Sequence, residues 1–191
     1  MRKIVATTWV TLDGYLAGPK DEMDFVGRYY DQSMGEYETE LVRGGDTLLL
    51  GRVTYDSFAG AWPFVPDREG VSDGERTYAL LLNAMRKVVV SSTLTDPSWE
   101  HTDVLTDVRR EEIEALKAEP GTDIIMYGSQ SLVRQLTDLG LIDEYHLLVH
   151  PVALGEGRSL FGGLAASADL VLDSATPLPS GVLKLVYRGQ P

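Results

Sequence analysis

Cysteine is absent from this chain, so disulfides and thiolate metal sites are excluded, and an intracellular setting is compatible. Histidine is scarce. His101, His146 and His150 are the only three, none with a second His, Asp or Glu at metal-ligand spacing, so no metal is expected. Apolar runs fall far short of the ~20 residues that span a bilayer. Met1-Arg2-Lys3 passes directly into a strand-like run without the apolar core of a signal peptide. The expectation is a soluble, cytoplasmic protein with no membrane partner. Positive charge is also short: 17 Lys and Arg face 29 Asp and Glu, for a net charge of -12. The cations are scattered, which argues against nucleic acid as a partner. A nucleophile elbow is missing too, because Gly128-Ser129-Gln130-Ser131-Leu132 lacks its closing Gly.

What remains is an ordinary globular composition, 43% hydrophobic and 24% charged over 191 residues, which predicts one domain spanning 1–191. Apolar β-branched and aliphatic runs break at Gly or Ser in Leu48-Leu49-Leu50-Gly51, Val88-Val89-Val90-Ser91 and Ile124-Ile125-Met126-Tyr127-Gly128, and more loosely in Ile4-Val5-Ala6-Thr7-Thr8. Such runs read as buried parallel strands, each expected to lead into a helix, and their carboxyl ends are where open α/β sheets bind phosphorylated ligands. Helical spacing predicts helices over about 31–42, 75–83, 109–118 and 129–139, and a short one from about Thr54. The last third, with runs near 144–152, 170–173 and 183–188, reads as antiparallel-like strands. The fold class is therefore α/β, a mixed and mostly parallel sheet flanked by helices, with an antiparallel edge.

Three turns carry the candidate chemistry. Gly51-Arg52-Val53-Thr54 combines a Gly that permits close backbone approach, an Arg fork and a helix N-terminus, which together suit a phosphate. Gly128-Ser129-Gln130-Ser131 is a second strand-to-helix turn with hydroxyl donors, and Ser91-Ser92-Thr93 offers hydroxyls at a third strand end. The plain alternatives are a tight turn, a solvated Arg and Ser or Thr caps. Gly155-Glu156-Gly157 and Gly162-Gly163 lack the spacing of a dinucleotide fingerprint and read as a structural loop. His146 and His150 share one strand face and read as structural or interface residues. Asp13, Asp31, Glu36 and Glu144 are acidic candidates for a proton or a substrate hydrogen bond.

Thr11-Leu12-Asp13-Gly14-Tyr15-Leu16-Ala17, Leu49-Leu50-Gly51-Arg52-Val53-Thr54-Tyr55, Gly128-Ser129 and Leu141 through Gly157 occur in an order that resembles the reductase domain of the bifunctional riboflavin-biosynthesis deaminase-reductase, within the dihydrofolate reductase-like superfamily. The resemblance runs from about 3 to 188. It implies a dihydrofolate reductase-like fold and an NADPH-dependent reductase of a small heterocyclic or phosphoribosyl-like substrate, as in 5-amino-6-(5-phosphoribosylamino)uracil reductase. It also implies a homodimer. By the same resemblance, Gly51, Arg52, Val53 and Thr54 meet the adenosine 2'-phosphate and pyrophosphate. Ser91 and Ser92 lie near the ribose phosphate, Gly128, Ser129 and Gln130 form the second pyrophosphate turn, and the stretch from Thr7 to Ala17 wraps the nicotinamide.

Tyr15 stands where the riboflavin enzyme usually has a Lys that handles the substrate, so Tyr15 joins the catalytic candidates, and the zinc-binding deaminase half has no counterpart here. Two other readings stay open: a nucleotide-binding protein of the same fold without turnover, and a dihydrofolate reductase, whose first-helix carboxylate would fall near Asp31 or Glu36.

Overall fold

The computed structural model describes residues 1–189. Its elements are β1 (Ile4–Thr11), β2 (Tyr15–Ala17), α1 (Asp24–Tyr29), α2 (Gln32–Gly44), β3 (Gly45–Gly51), α3 (Arg52–Ala59), a 3-10 turn (Trp62–Asp67), α4 (Asp73–Ala84), β4 (Arg86–Val90), β5 (Thr102–Leu105), α5 (Arg110–Ala118), β6 (Asp123–Tyr127), α6 (Gln130–Asp138), β7 (Glu144–His150), β8 (Arg158–Ser159), β9 (Leu170–Pro177) and β10 (Leu183–Gly189).

Eight strands form one sheet in the order β5-β4-β3-β6-β1-β7-β10-β9, and β2 pairs with β8 apart from it. The pairings from β5 to β7 are all parallel, while β10 runs antiparallel to both β7 and β9. The continuous apolar runs Leu48-Leu49-Leu50 and Ile124-Ile125-Met126 are buried because helices cover both faces of the sheet. Ile4, Ala6, Leu49, Ile124 and Met126 pack against α5 and α6 through Ile113, Leu116, Leu132 and Leu136. On the opposite face, Val5, Leu48, Leu50, Ile125 and Tyr127 meet α2 and α4 through Val42, Tyr78 and Leu82.

Local chemistry explains where the helices start. Asp31 caps α2 by accepting from the Met34 N–H at 3.1 Å, and Ser72 caps α4 by accepting from Glu75 at 3.2 Å. Helix α2 buries Met34, Glu38 and Val42, one residue per turn, on the sheet.

Several expectations need correction. β1, expected over about residues 3–9, continues to Thr11, because β7 pairs with it from Val5 to Thr11. β4 differs from β3 and β6 in leading, as the Pro97-containing stretch predicts, through a loop to a further strand near Val104-Leu105, which is β5. Helix α1 and the short pair β2/β8 escaped periodicity analysis because segments of six, three and two residues are too short to show a period. Among the described residues, no helix is long and apolar enough to cross a membrane.

Candidate functional site

The parallel strands β3, β4 and β6 end at one edge of the sheet, and two of their turns interlock there. Gly51, at the end of β3, is the N-cap position of α3, and Ser129, after β6, is that of α6. Neither helix has a side-chain cap. A Cβ on Gly51 would lie 2.5 Å from Ser129 Oγ, and one on Gly128, which has φ +47°, would lie 3.7 Å from Thr54 Oγ1. The two turns are therefore pressed together, and glycine at 51 is what lets them approach. The first-turn N–H groups of two neighbouring helices stay uncapped side by side, and both macrodipoles direct positive potential to one point. The peptide joining Gly128 to Ser129 is cis.

The surrounding donors are distributed unequally. Ser129 and Ser131 hydroxyls lie 3.0 Å apart at the start of α6. Arg52, 39% exposed, has Nε bonded to both oxygens of Asp56 at 2.9 and 2.8 Å. Gln130 points away from the turn and donates to the Ser159 carbonyl, tying α6 to β8. Ser91 is buried, and its hydroxyl oxygen accepts from the N–H groups of Thr93 and Leu94 at 3.2 and 3.1 Å. Its oxygen thereby shapes its own loop, with the Thr93 hydroxyl 3.4 Å away. Ser92, next to it, is exposed.

Past Thr7, β1 loses β6 as a neighbour and pairs with β7 alone. This leaves an open flank of β1 beside the Gly128 turn. Thr7 is not at a strand end. It is buried mid-strand in a cross-sheet row, Leu50, Tyr127, Thr7, His146 and Val186, that α2 overlies. Ala17 is fully buried in β2, close against Gly157.

The acidic candidates separate by environment. Asp13 accepts from Thr11 Oγ1 at 2.6 Å and from the Gly155 N–H at 2.7 Å. The Thr11 bond and then the Gly155 bond hold its carboxyl below the usual range. Tyr15 reaches the Gly155 carbonyl at 3.4 Å, so this pair clasps the loop after β7. Asp31 is bound by Ser33 and Met34, which lower its pKa and leave it a cap. Glu36 is exposed and accepts from Gln32. Glu144 begins β7 at the opposite edge of the sheet, where it accepts from Lys3 at 2.7 Å and meets His146 Nε2 at 3.2 Å. Burial opposes its ionisation, but Lys3 and His146 prevail and keep it low. None of Asp31, Glu36 and Glu144 converges on the interlocked turns.

The carboxylate that periodicity reasoning missed is Glu38. Only 4% exposed on the sheet-facing side of α2, it accepts from Tyr30 Oη at 2.9 Å through Oε2, while Oε1 has no hydrogen-bond partner among the described residues. Burial pushes its pKa up to about 7, with the Tyr30 hydrogen bond, and then the neighbouring Trp9, acting against the rise. The same face carries a cluster of aromatics: Tyr78 and Tyr127 share a hydroxyl contact of 2.7 Å, Phe58 lies tilted against Tyr127 at 5.3 Å between ring centres, and Trp62 lies edge-on to Tyr78 at 5.0 Å. The signal was present, since Met34, Glu38 and Val42 recur every fourth residue and place one acid inside an apolar stripe.

The histidines are structural in part. His146 Nδ1 bonds Tyr37 Oη at 2.8 Å, but His150, fully buried between Phe25 and Tyr29, leaves Nε2 without a partner among the described residues. Among the described residues, no cluster of three or more His, Cys, Asp or Glu side chains is arranged to hold a metal ion.

The family model for the RibD C-terminal domain matches residues 2–184. The chain belongs to that family. Among its relatives is the uncharacterized protein YyaP of Bacillus subtilis (strain 168), 34% identical over 187 residues, an alignment covering 98% of this chain and 95% of YyaP. A pyrimidine reductase-like protein from Corynebacterium diphtheriae superposes with a TM-score of 0.68 at 19% identity, covering 100% of this chain and 92% of the other. Dihydrofolate reductase from Enterococcus faecalis, solved with NADP(H) and RAB-propyl, superposes with a TM-score of 0.64 at 13% identity over 99% and 97% of the two chains. At these identities the two solved structures show a shared fold. The RibD C-terminal family and its dihydrofolate reductase-like fold thus agree with the mixed sheet and its reversed β10.

Proposed function

We propose that this RibD C-terminal family member is an NADPH-dependent reductase of a small nitrogen heterocycle. The observation that carries the reading is the pair of uncapped helix N-termini, α3 and α6, locked together by Gly51 against Ser129. The residues present fit a dinucleotide. N–H groups and the Ser129 hydroxyl suit a pyrophosphate, and Arg52 on the rim suits the additional 2'-phosphate. When bound, NADPH supplies the hydride. The chain's own residues orient the cofactor and manage the proton. Glu38, raised to about 7 by burial, keeps its proton to a higher pH than an aqueous carboxylic acid does. The Tyr30 hydroxyl holds Oε2, and Oε1, buried and without a hydrogen bond among the described residues, is the atom this reading assigns to a ring N–H or ring nitrogen of the substrate.

Calorimetric titration with NADPH and NADH tests the cofactor. Micromolar binding of NADPH, with much weaker NADH, supports the reading, and binding of neither removes it. Arg52→Ala should weaken NADPH by about ten- to a hundredfold, the range for hydrogen bonds to a charged group, and leave NADH almost unchanged.

Glu38 also favours a second reading, that the substrate is a pterin of the dihydrofolate kind rather than a phosphoribosyl pyrimidine. NADPH oxidation with dihydrofolate, abolished by Glu38→Gln, supports it. The reading without turnover predicts cofactor binding but no hydride transfer to pyrimidine, pterin or carbonyl panels. The proposed setting is the cytoplasm, and the proposed partner is a second copy. β9 is an open sheet edge with Leu172 51% exposed, a surface that another copy would cover. Light scattering that gives the 21.0 kDa monomer mass at micromolar concentration counts against the pairing.

A further inference from the structure

Arg52 opens α3, and Asp56 lies one turn further along the same helix face. Both oxygens of Asp56 accept from a single donor, Nε. A guanidinium carries five N–H groups, and the four on Nη1 and Nη2 form the fork able to meet a phosphate in two places. Among the described residues, no hydrogen bond uses Nη1 or Nη2 of Arg52, and the side chain is 39% exposed. The carboxylate therefore grips the inner side of the guanidinium and leaves its outer fork unspent.

We infer that Asp56 is a positioning residue for cofactor selection: by holding Nε of Arg52 it fixes the guanidinium at the mouth of α3, with its fork available to the phosphate that distinguishes NADPH from NADH. The inference rests on reading the interlocked turns as a cofactor site. Its physical content is pre-organisation. A long side chain already held in one geometry loses less freedom when the phosphate arrives. The opposing effect is charge, since a carboxylate beside the guanidinium repels the incoming phosphate. Two variants separate them. Asp56→Ala removes both the acceptor and the charge, whereas Asp56→Asn removes the charge and keeps an oxygen for Nε.

The experiment is calorimetric titration of the full chain and both variants with NADPH and, separately, NADH, scored as the ratio of the two dissociation constants. Pre-organisation predicts that Asp56→Ala reduces the preference for NADPH by on the order of three- to tenfold, through NADPH alone. It also predicts that Asp56→Asn keeps the wild-type ratio or raises it. An Asp56→Ala protein that binds NADPH more tightly, or whose ratio is unchanged, overturns the inference, as does an Asp56→Asn ratio as low as that of Asp56→Ala. Wild-type protein that binds neither cofactor overturns the cofactor reading itself, a result distinct from a failure of Asp56 alone.

Discussion

The two ends of the parallel sheet are built on opposite rules. At the amino edge nearly every charge is spent on another. Arg2, buried, bonds the Thr47 hydroxyl at 2.6 Å and the Thr122 carbonyl at 2.7 Å and pairs with Asp46. Lys117 meets Asp143 at 2.7 Å, and Arg86 bridges Asp103 and Glu119 at 2.7 and 2.5 Å. At the carboxyl edge α3 and α6 begin without side-chain caps, and a glycine brings them together. One edge closes the fold by satisfying its polar groups. The other holds donors in reserve, as a binding surface must. Between them, under α2, Glu38 combines both situations, one oxygen satisfied and one not.

Substitutions can break this contrast, and the largest effect is expected at Glu38. A carboxyl whose folded pKa is raised to about 7 from 4.5 prefers its proton in the folded state. Stability is then fully present below pH 4.5 and is lost as pH rises through 7, by roughly 3 kcal/mol in total. Glu38→Gln should remove this slope, seen as urea midpoints that no longer fall between pH 4.5 and 7.5. An unchanged slope would mean that Glu38 is solvated. Arg2→Ala comes next. It should cost about 2–3 kcal/mol in denaturant unfolding by removing charged hydrogen bonds from a buried position, with NADPH affinity unmoved.

Gly51→Val tests the other edge. A branched side chain directed into Ser129 should push the two turns apart and lower NADPH affinity, read by calorimetry, and overpacking there should also cost about 1–3 kcal/mol in denaturant unfolding. If Arg2→Ala impaired cofactor binding as much as Gly51→Val, the division of labour between the edges would be wrong. Arg86→Ala should be the mildest, under about 1 kcal/mol, because its pairs are solvent-exposed.

Much of the fold was legible in the chain because burial writes itself as period. The run Ile124-Ile125-Met126-Tyr127 became β6 at the expected place, and the stripe from Asp31 to Val42 became α2. Gly51 and Gly128 also stood where strand ends were expected. The acid was missed for a reason of the same kind. Periodicity marks a face but does not reveal that an ionisable residue on it will be buried, and Asp31 and Glu36 looked as plausible until capping and solvent claimed them. Ser91 likewise carried the right hydroxyl at a strand end, yet only the folded loop reveals that two of its own N–H groups occupy it.

The sequence alone determined the layered α/β architecture and the two glycine turns, because strand burial and backbone freedom are local properties of side-chain pattern. Tertiary structure alone decided that these turns face each other, that Glu144 lies at the far edge, and that Glu38 is the buried acid. Those outcomes depend on strand order and on which helix covers which face, and both are set by contacts between residues far apart in the chain.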